Sequence, residues 1–200
     1  MPMMRTTTRT VLLAALLAAS ALSTPANVQV VTHEETVRSV RKMLERLPYY
    51  GVFDYLAFSV DRGVVTLVGF DYHGTLKADA EMAARRAQGV VEVANQIETL
   101  PASVGDDRAR WATFYKIYTD DFLSRYAPGG RTSVIHDIID QLRFPGMQPV
   151  GTYPIHIVVK NGRVMLLGVV DSASDRQLAE VRAREALGVF AVENSLAVVR

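Results

Sequence analysis

The chain contains one stretch twice, and nothing else in the sequence constrains it as much. A shift of 99 residues lays residues 61–98 on 160–197 without a gap, with 13 identities. Gly63, Val65, Leu67 and Gly69 fall on Gly162, Val164, Leu166 and Gly168. Ala80, Glu81, Ala84, Arg85 and Ala87 fall on Ala179, Glu180, Ala183, Arg184 and Ala186. Gly89, Val90, Val93 and Asn95 then fall on Gly188, Val189, Val192 and Asn194. These are residues that a fold fixes: glycines at turns and small or apolar residues on one helix face. An internal repeat outranks other sequence signals for architecture. Two copies in 200 residues mean two small modules, each near the lower limit for an independent core.

The second copy opens with a clear hairpin. Ile155 to Lys160 is apolar and β-branched, Asn161-Gly162 is a tight turn, and a second strand runs to Gly168. Asn-Gly suits a two-residue turn because both positions need positive φ. The first copy, Leu56 to Gly69, turns at Asp61-Arg62-Gly63, so Gly63 alone is expected to carry the difficult angle. A helix follows each hairpin (Lys77–Gln88 and Ser174–Leu187), then a glycine stop (Gly89 and Gly188), then a strand (Val90–Glu98 and Val189–Val199). An amphipathic helix with Val37, Val40, Leu44 and Leu47 on one face precedes the first hairpin. Thr32-x-x-Glu35 offers it a capping box and Pro48 ends it. The pattern is helix, strand, strand, helix, strand. In the second copy two stretches compete for the opening helix, Asp107–Tyr126 and Thr132–Leu142. Spacing to the hairpin favours the latter.

The first residues are of another kind. Arg5 and Arg9 precede the short apolar run Val11–Ala19, and Ala19-Ser20-Ala21 fits a small-residue cleavage site. Residues 1–26 therefore read as a secretory signal peptide, cut after 21 or 26. The expected organisation is a first module at 33–100 and a second at 101–200, with extra helical sequence at about 107–143. Formal net charge is +1, too small for a field that would hold nucleic acid. The absence of cysteine rules out a disulfide framework and lipid attachment at a cysteine after the signal. The expected location is the periplasm or the outside of the cell.

No catalytic constellation is legible. His33, His73, His136 and His156 are not at ligand spacing, so neither a metal site nor a cofactor is expected. His156 alternates with Ile155 and Ile157 and is expected to face solvent. No nucleophile elbow, phosphate loop or dinucleotide fingerprint is present. Asp120 and Asp121 are adjacent and point apart, while Asp171 with Ser172 or Ser174 reads as a helix cap. The best binding candidate is an aromatic stripe, Trp111, Phe114, Tyr115, Tyr118 and Phe122, flanked by Arg108, Arg110 and Lys116. Aromatic bodies with polar tips beside basic residues suit a headgroup–acyl boundary. The competing reading makes the stripe core. A second patch is the basic face of the opening helix: Arg38, Arg41, Lys42 and Arg46.

Val60-Asp-Arg-Gly-Val-Val-Thr-Leu-Val-Gly69 and Val159-Lys-Asn-Gly-Arg-Val-Met-Leu-Leu-Gly-Val-Val170, each with its helix and its Gly-Val-x-x-Val-x-Asn segment, resemble tandem BON domains. These are the modules of osmotically induced periplasmic proteins of bacteria. The resemblance implies an α+β chain of two αββαβ modules, each a three-stranded mixed sheet covered on one face by two helices, after an N-terminal signal peptide. It favours 107–126 as the second opening helix. It implies no enzyme but an envelope protein: weak binding to anionic phospholipid, with a role in membrane maintenance under stress. The alternative is a scaffold that binds an envelope or secreted protein through a sheet edge or the groove between modules. Gly63, Gly69, Gly89, Gly162, Gly168 and Gly188 are its structural motif glycines.

Overall fold

A computed structural model describes residues 31–143 and 148–199; the signal-peptide reading lies outside them. The first module runs α1 (His33–Leu44), β1 (Tyr55–Asp61), β2 (Val64–Asp71), α2 (Leu76–Arg85) and β3 (Glu92–Thr99). The second runs α3 (Val104–Tyr118), a 3-10 turn (Leu123–Tyr126), α4 (Arg131–Arg143), β4 (Ile155–Lys160), β5 (Arg163–Val170), α5 (Ala173–Arg184) and β6 (Ala191–Val198). Each sheet has the order first, second, third strand, with an antiparallel hairpin and a parallel third strand. The helix between the second and third strands supplies the crossover that parallel pairing requires.

Local chemistry starts and stops these elements. The Thr32 hydroxyl accepts from the Glu35 N–H at 3.2 Å and the Glu35 carboxylate accepts from the Thr32 N–H at 2.9 Å, so the capping box is formed. Ser172 caps α5 by accepting from the Asp175 N–H at 3.1 Å. In the second hairpin Asn161 and Gly162 take φ of 53° and 71°. In the first hairpin Gly63 does not act alone: Arg62 also lies in the left-handed region, at φ 47°. Both loops are therefore two-residue turns, and the paired strands dictate the turn over the side chain's preference.

α3 packs on β4 and α5 as α1 packs on β1 and α2, while α4 packs outside α3. The stretch 107–126 thus opens the second module and α4 is the insertion. It is not one helix, however. α3 ends at Tyr118, and the Asp120 carboxylate accepts from the N–H groups of Phe122 (2.9 Å) and Leu123 (3.1 Å), restarting the chain as the 3-10 turn. Asp120 also pairs with Arg182 of α5 at 2.7 Å, whereas Asp121 turns to Arg131 at 2.9 Å.

Val40, Val65, Leu67, Ala80, Ala84, Val93 and Ile97 fill the first core. The second is larger and contains Phe114, Ile117, Tyr118, Ile155, Ile157, Val164, Leu166 and Leu196, together with Val52 and Phe53 from the first module. Glycine matters most where β2 and β5 meet their neighbours. A Cβ at Gly69 would lie 1.9 Å from the Tyr55 carbonyl oxygen, at φ 144°. G69A is expected to lower the free energy of unfolding by about 3 kcal/mol. G130A, also at positive φ but with open space around it, is expected to lose only about 1 kcal/mol. Urea denaturation of both variants checks the contrast.

Candidate functional site

The outer edge of β4 is closed by the protein itself. Along this strand the groups of alternate residues point away from β5. The Ile155 carbonyl accepts from the Tyr118 hydroxyl at 2.6 Å, the Ile157 N–H donates to the Val52 carbonyl at 2.8 Å, and the Val159 carbonyl accepts from the Arg110 guanidinium at 2.6 Å. At the turn, Asp106 accepts from the N–H groups of Asn161 (2.9 Å) and Gly162 (2.7 Å). An unpaired edge invites foreign strands; here α3 and an arm of the first module cover it.

That arm is Tyr49–Asp54. Gly51 forms a β-bridge with Val150, and the Val52 N–H donates to the Pro149 carbonyl at 3.1 Å. Phe53 is fully buried, edge-on to Tyr72, Trp111 and Phe114. The Gln148 amide reads the arm at both ends: its oxygen accepts from the Phe53 N–H at 3.1 Å, and its nitrogen donates to Asp54 at 2.5 Å and to the Tyr49 carbonyl at 3.4 Å. Asp54 also accepts from the N–H groups of Gly51 (3.1 Å) and Tyr72 (2.8 Å). Burial pushes its carboxyl up, and these donors oppose that.

Beside the arm lies a groove of about 760 Å3. Arg41, Leu44, Glu45 and Leu47 form one wall, Val150 to Tyr153 form the other, and Leu56 and Phe58 of β1 lie between, with Tyr50 and His156 at one end. His156 does not face solvent. The alternation correctly puts it on the face of its sheet away from the helices, but that face is covered here by Tyr50 and Tyr55, whose rings lie 5.2 and 5.7 Å away. Its Nε2 is 3.3 Å from the Tyr50 hydroxyl, and its Nδ1 is buried without a protein partner among the described residues. Burial lowers its pKa to about 4. Burial also raises the Tyr50 phenol, which stays protonated.

The aromatic stripe is divided by the structure. Phe114 and Tyr118 are fully buried and Trp111 is half-buried against the same core, so these three are packing residues. Arg110 is equally buried: it pairs with Asp107, caps Val159 and stacks over Tyr72 at 4.8 Å. None of Phe114, Tyr118 or Arg110 can reach a surface ligand in this fold. Tyr115 and Phe122 are exposed, Arg108 is exposed, and Lys116 lies 3.8 Å from Glu185. Sequence periodicity missed the groove residues Tyr50, Val150 and His156, because their partners lie about a hundred positions away. Among the described residues, no group of histidines and carboxylates could hold a metal ion, and no helix is long and apolar enough to cross a membrane.

The BON domain family model matches residues 55–101 and 140–200, more than half of the chain. With two αββαβ modules observed, the chain belongs to the BON-domain family. Among solved structures it is similar to the C-terminal domain of CdsD, the structural protein of the type III secretion system of Chlamydia trachomatis. That match has 12% identity and a TM-score of 0.27, over 85% of this chain and 100% of that one. A second CdsD structure from Chlamydia trachomatis has 13% identity and a TM-score of 0.25, over 82% and 91%. Likeness of this degree carries no function across. No curated protein matches the sequence.

Two outcomes are expected. In D54N the new amide would point its own N–H groups at Gly51 or Gln148, leaving donors facing a donor, at a cost of about 1–3 kcal/mol in unfolding free energy by urea titration. His156 has a folded pKa below its unfolded one. Its contribution is present above about 6.5 and is lost as pH falls toward about 4. The stability of the native chain relative to H156L is therefore expected to shrink by up to about 1.4 kcal/mol per pH unit over that window. Thermal melts of both proteins across it provide the check.

Proposed function

We propose that this chain is an exported, non-enzymatic envelope module that works by contact with another protein, through the groove between its two modules. The single observation that carries this reading is the groove itself: an open cleft shared by both modules, in which Leu44, Leu47, Leu56, Phe58 and Val150 alternate with polar groups such as Arg41, Glu45, Tyr50 and His156. Membership of the BON family supports an envelope setting without chemistry. The aromatic stripe, the alternative surface, has most of its anchors in the core. A photo-crosslinker at Val150, exposed on the groove rim, is expected to give a discrete protein adduct in the cell envelope. The same group at Met82, exposed on α2, is expected to give none. Equal labelling from both positions, or none from Val150, would contradict the reading.

One observation keeps phospholipid in view. Phe122, before the 3-10 turn, is 67% exposed, and Tyr115, next to Lys116 in the last turns of α3, is 54% exposed. A few basic residues add only about 1 kcal/mol each at an anionic surface, so binding would depend on those rings. On this second reading, sedimentation with anionic vesicles is expected to fall in F122S and in high salt; absence of sedimentation with any vesicle would remove it.

A further inference from the structure

The two modules repeat each other, but their edges do not. Where each opening helix crosses its motif glycine, Thr36 of α1 meets Gly89 and Ala109 of α3 meets Gly188. Counting on from there, α1 has Val37 where α3 has Arg110, and Glu45 where α3 has Tyr118. The two side chains that close β4 along its length, Arg110 and Tyr118, are therefore missing over β1. The third closing group, the Val52 carbonyl of the arm, has no counterpart on β1 among the described residues.

The phase of β1 is the same as that of β4. Leu56 is the repeat partner of Ile155, and its N–H points outward to the Tyr50 hydroxyl at 3.3 Å. Alternation then sends the N–H and C=O groups of Phe58 and Val60 outward as well. Among the described residues no group outside their own sheet meets them. This open stretch of edge runs along the groove, with Phe58 in its lining.

We propose, resting on the protein-contact reading above, that the groove takes an extended peptide of the partner as an added strand on β1. The chain's own arm shows the mode on the equivalent edge: Val52 supplies a backbone bond to Ile157 while Phe53 fills an apolar site. Backbone pairing with alternate side chains in pockets is how sheet edges recognise peptides. The peptide is apolar or aromatic at its centre, matching Leu44, Leu56 and Phe58. Its flanks are acidic, because the C-terminal half of α1 and the turn after it carry exposed Arg38, Arg41, Lys42 and Arg46 against Glu45, the helix's other acids, Glu34 and Glu35, lying in its first turn at the far end.

The probe is the acetylated peptide Glu-Glu-Val-Phe-Val-Ile-Glu-Glu, titrated into the full chain with amide hydrogen exchange followed by NMR. Saturable binding is expected, with new protection at the Phe58 and Val60 amides. A version N-methylated at alternate residues on the bonding side is expected to bind about tenfold more weakly or worse. V150E, at an exposed rim position, is expected to weaken binding by a similar factor. Failure to bind, or equal binding of the methylated peptide, would overturn strand addition. Because the Val150 crosslink is read independently of this peptide, a standing crosslink with a failed peptide would overturn the added strand alone. A bound, edge-protecting peptide with no crosslink would support the added strand and count against the envelope partner.

Discussion

The buried carboxylate of Asp54 holds the two modules in register. Its oxygens accept from Gly51 within the arm, from Tyr72 after β2 and from Gln148 of the second module. Asp54 thereby fixes the direction in which Phe53 leaves the first module, and Phe53 enters a core made otherwise by the second. The cost of burying an ionisable group is offset where donors converge on it, and Asp54 receives three. Tyr72 adds to the joint: it lies against Phe53 and under Arg110. The larger core thus depends on residues that sequence order assigns to the smaller module.

That dependence also explains why the repeat has diverged where it has. The positions shared across the 99-residue shift are those of the hairpin, the second helix and the third strand, which each module needs for itself. The opening helices have diverged because their edges have different tasks. α3 carries Asp106, Arg110 and Tyr118 on its buried side to satisfy β4, and polar groups are tolerated there because the strand's own backbone partners them. α1 carries Val37 and Glu45 at the places of Arg110 and Tyr118 and leaves its edge free beside a groove.

The parts of this fold legible in the sequence were the local ones. Turn residues, caps and apolar alternation set the hairpins and helices, since each of those signals acts within a few residues. The aromatic stripe was legible as a stripe but not in its facing. Its buried line is Asp106, Ala109, Arg110, Thr113, Phe114, Ile117 and Tyr118, and the three polar residues in that line disguised it as a mixed face. Trp111 lies on its shoulder, and Tyr115 and Phe122 lie outside. His156 was assigned to the correct face of its strand, yet only the tertiary placement of Tyr50 and Tyr55 shows that this face is covered. The arm Tyr49–Asp54 has the composition of a loop, and its role follows from partners near position 150 that no local pattern announces.

Because the arm shares the second core, the described residues 31–143 and 148–199 are expected to unfold as one unit. Equilibrium urea unfolding, followed at once by Trp111 fluorescence and by the methyl resonances of Val65, tests it most directly. Trp111 reports the second module and Val65 the centre of the first. The expected result is a single transition with coincident midpoints from both probes. Two separated midpoints, with Val65 keeping its native signal after Trp111 has become exposed, would contradict the account.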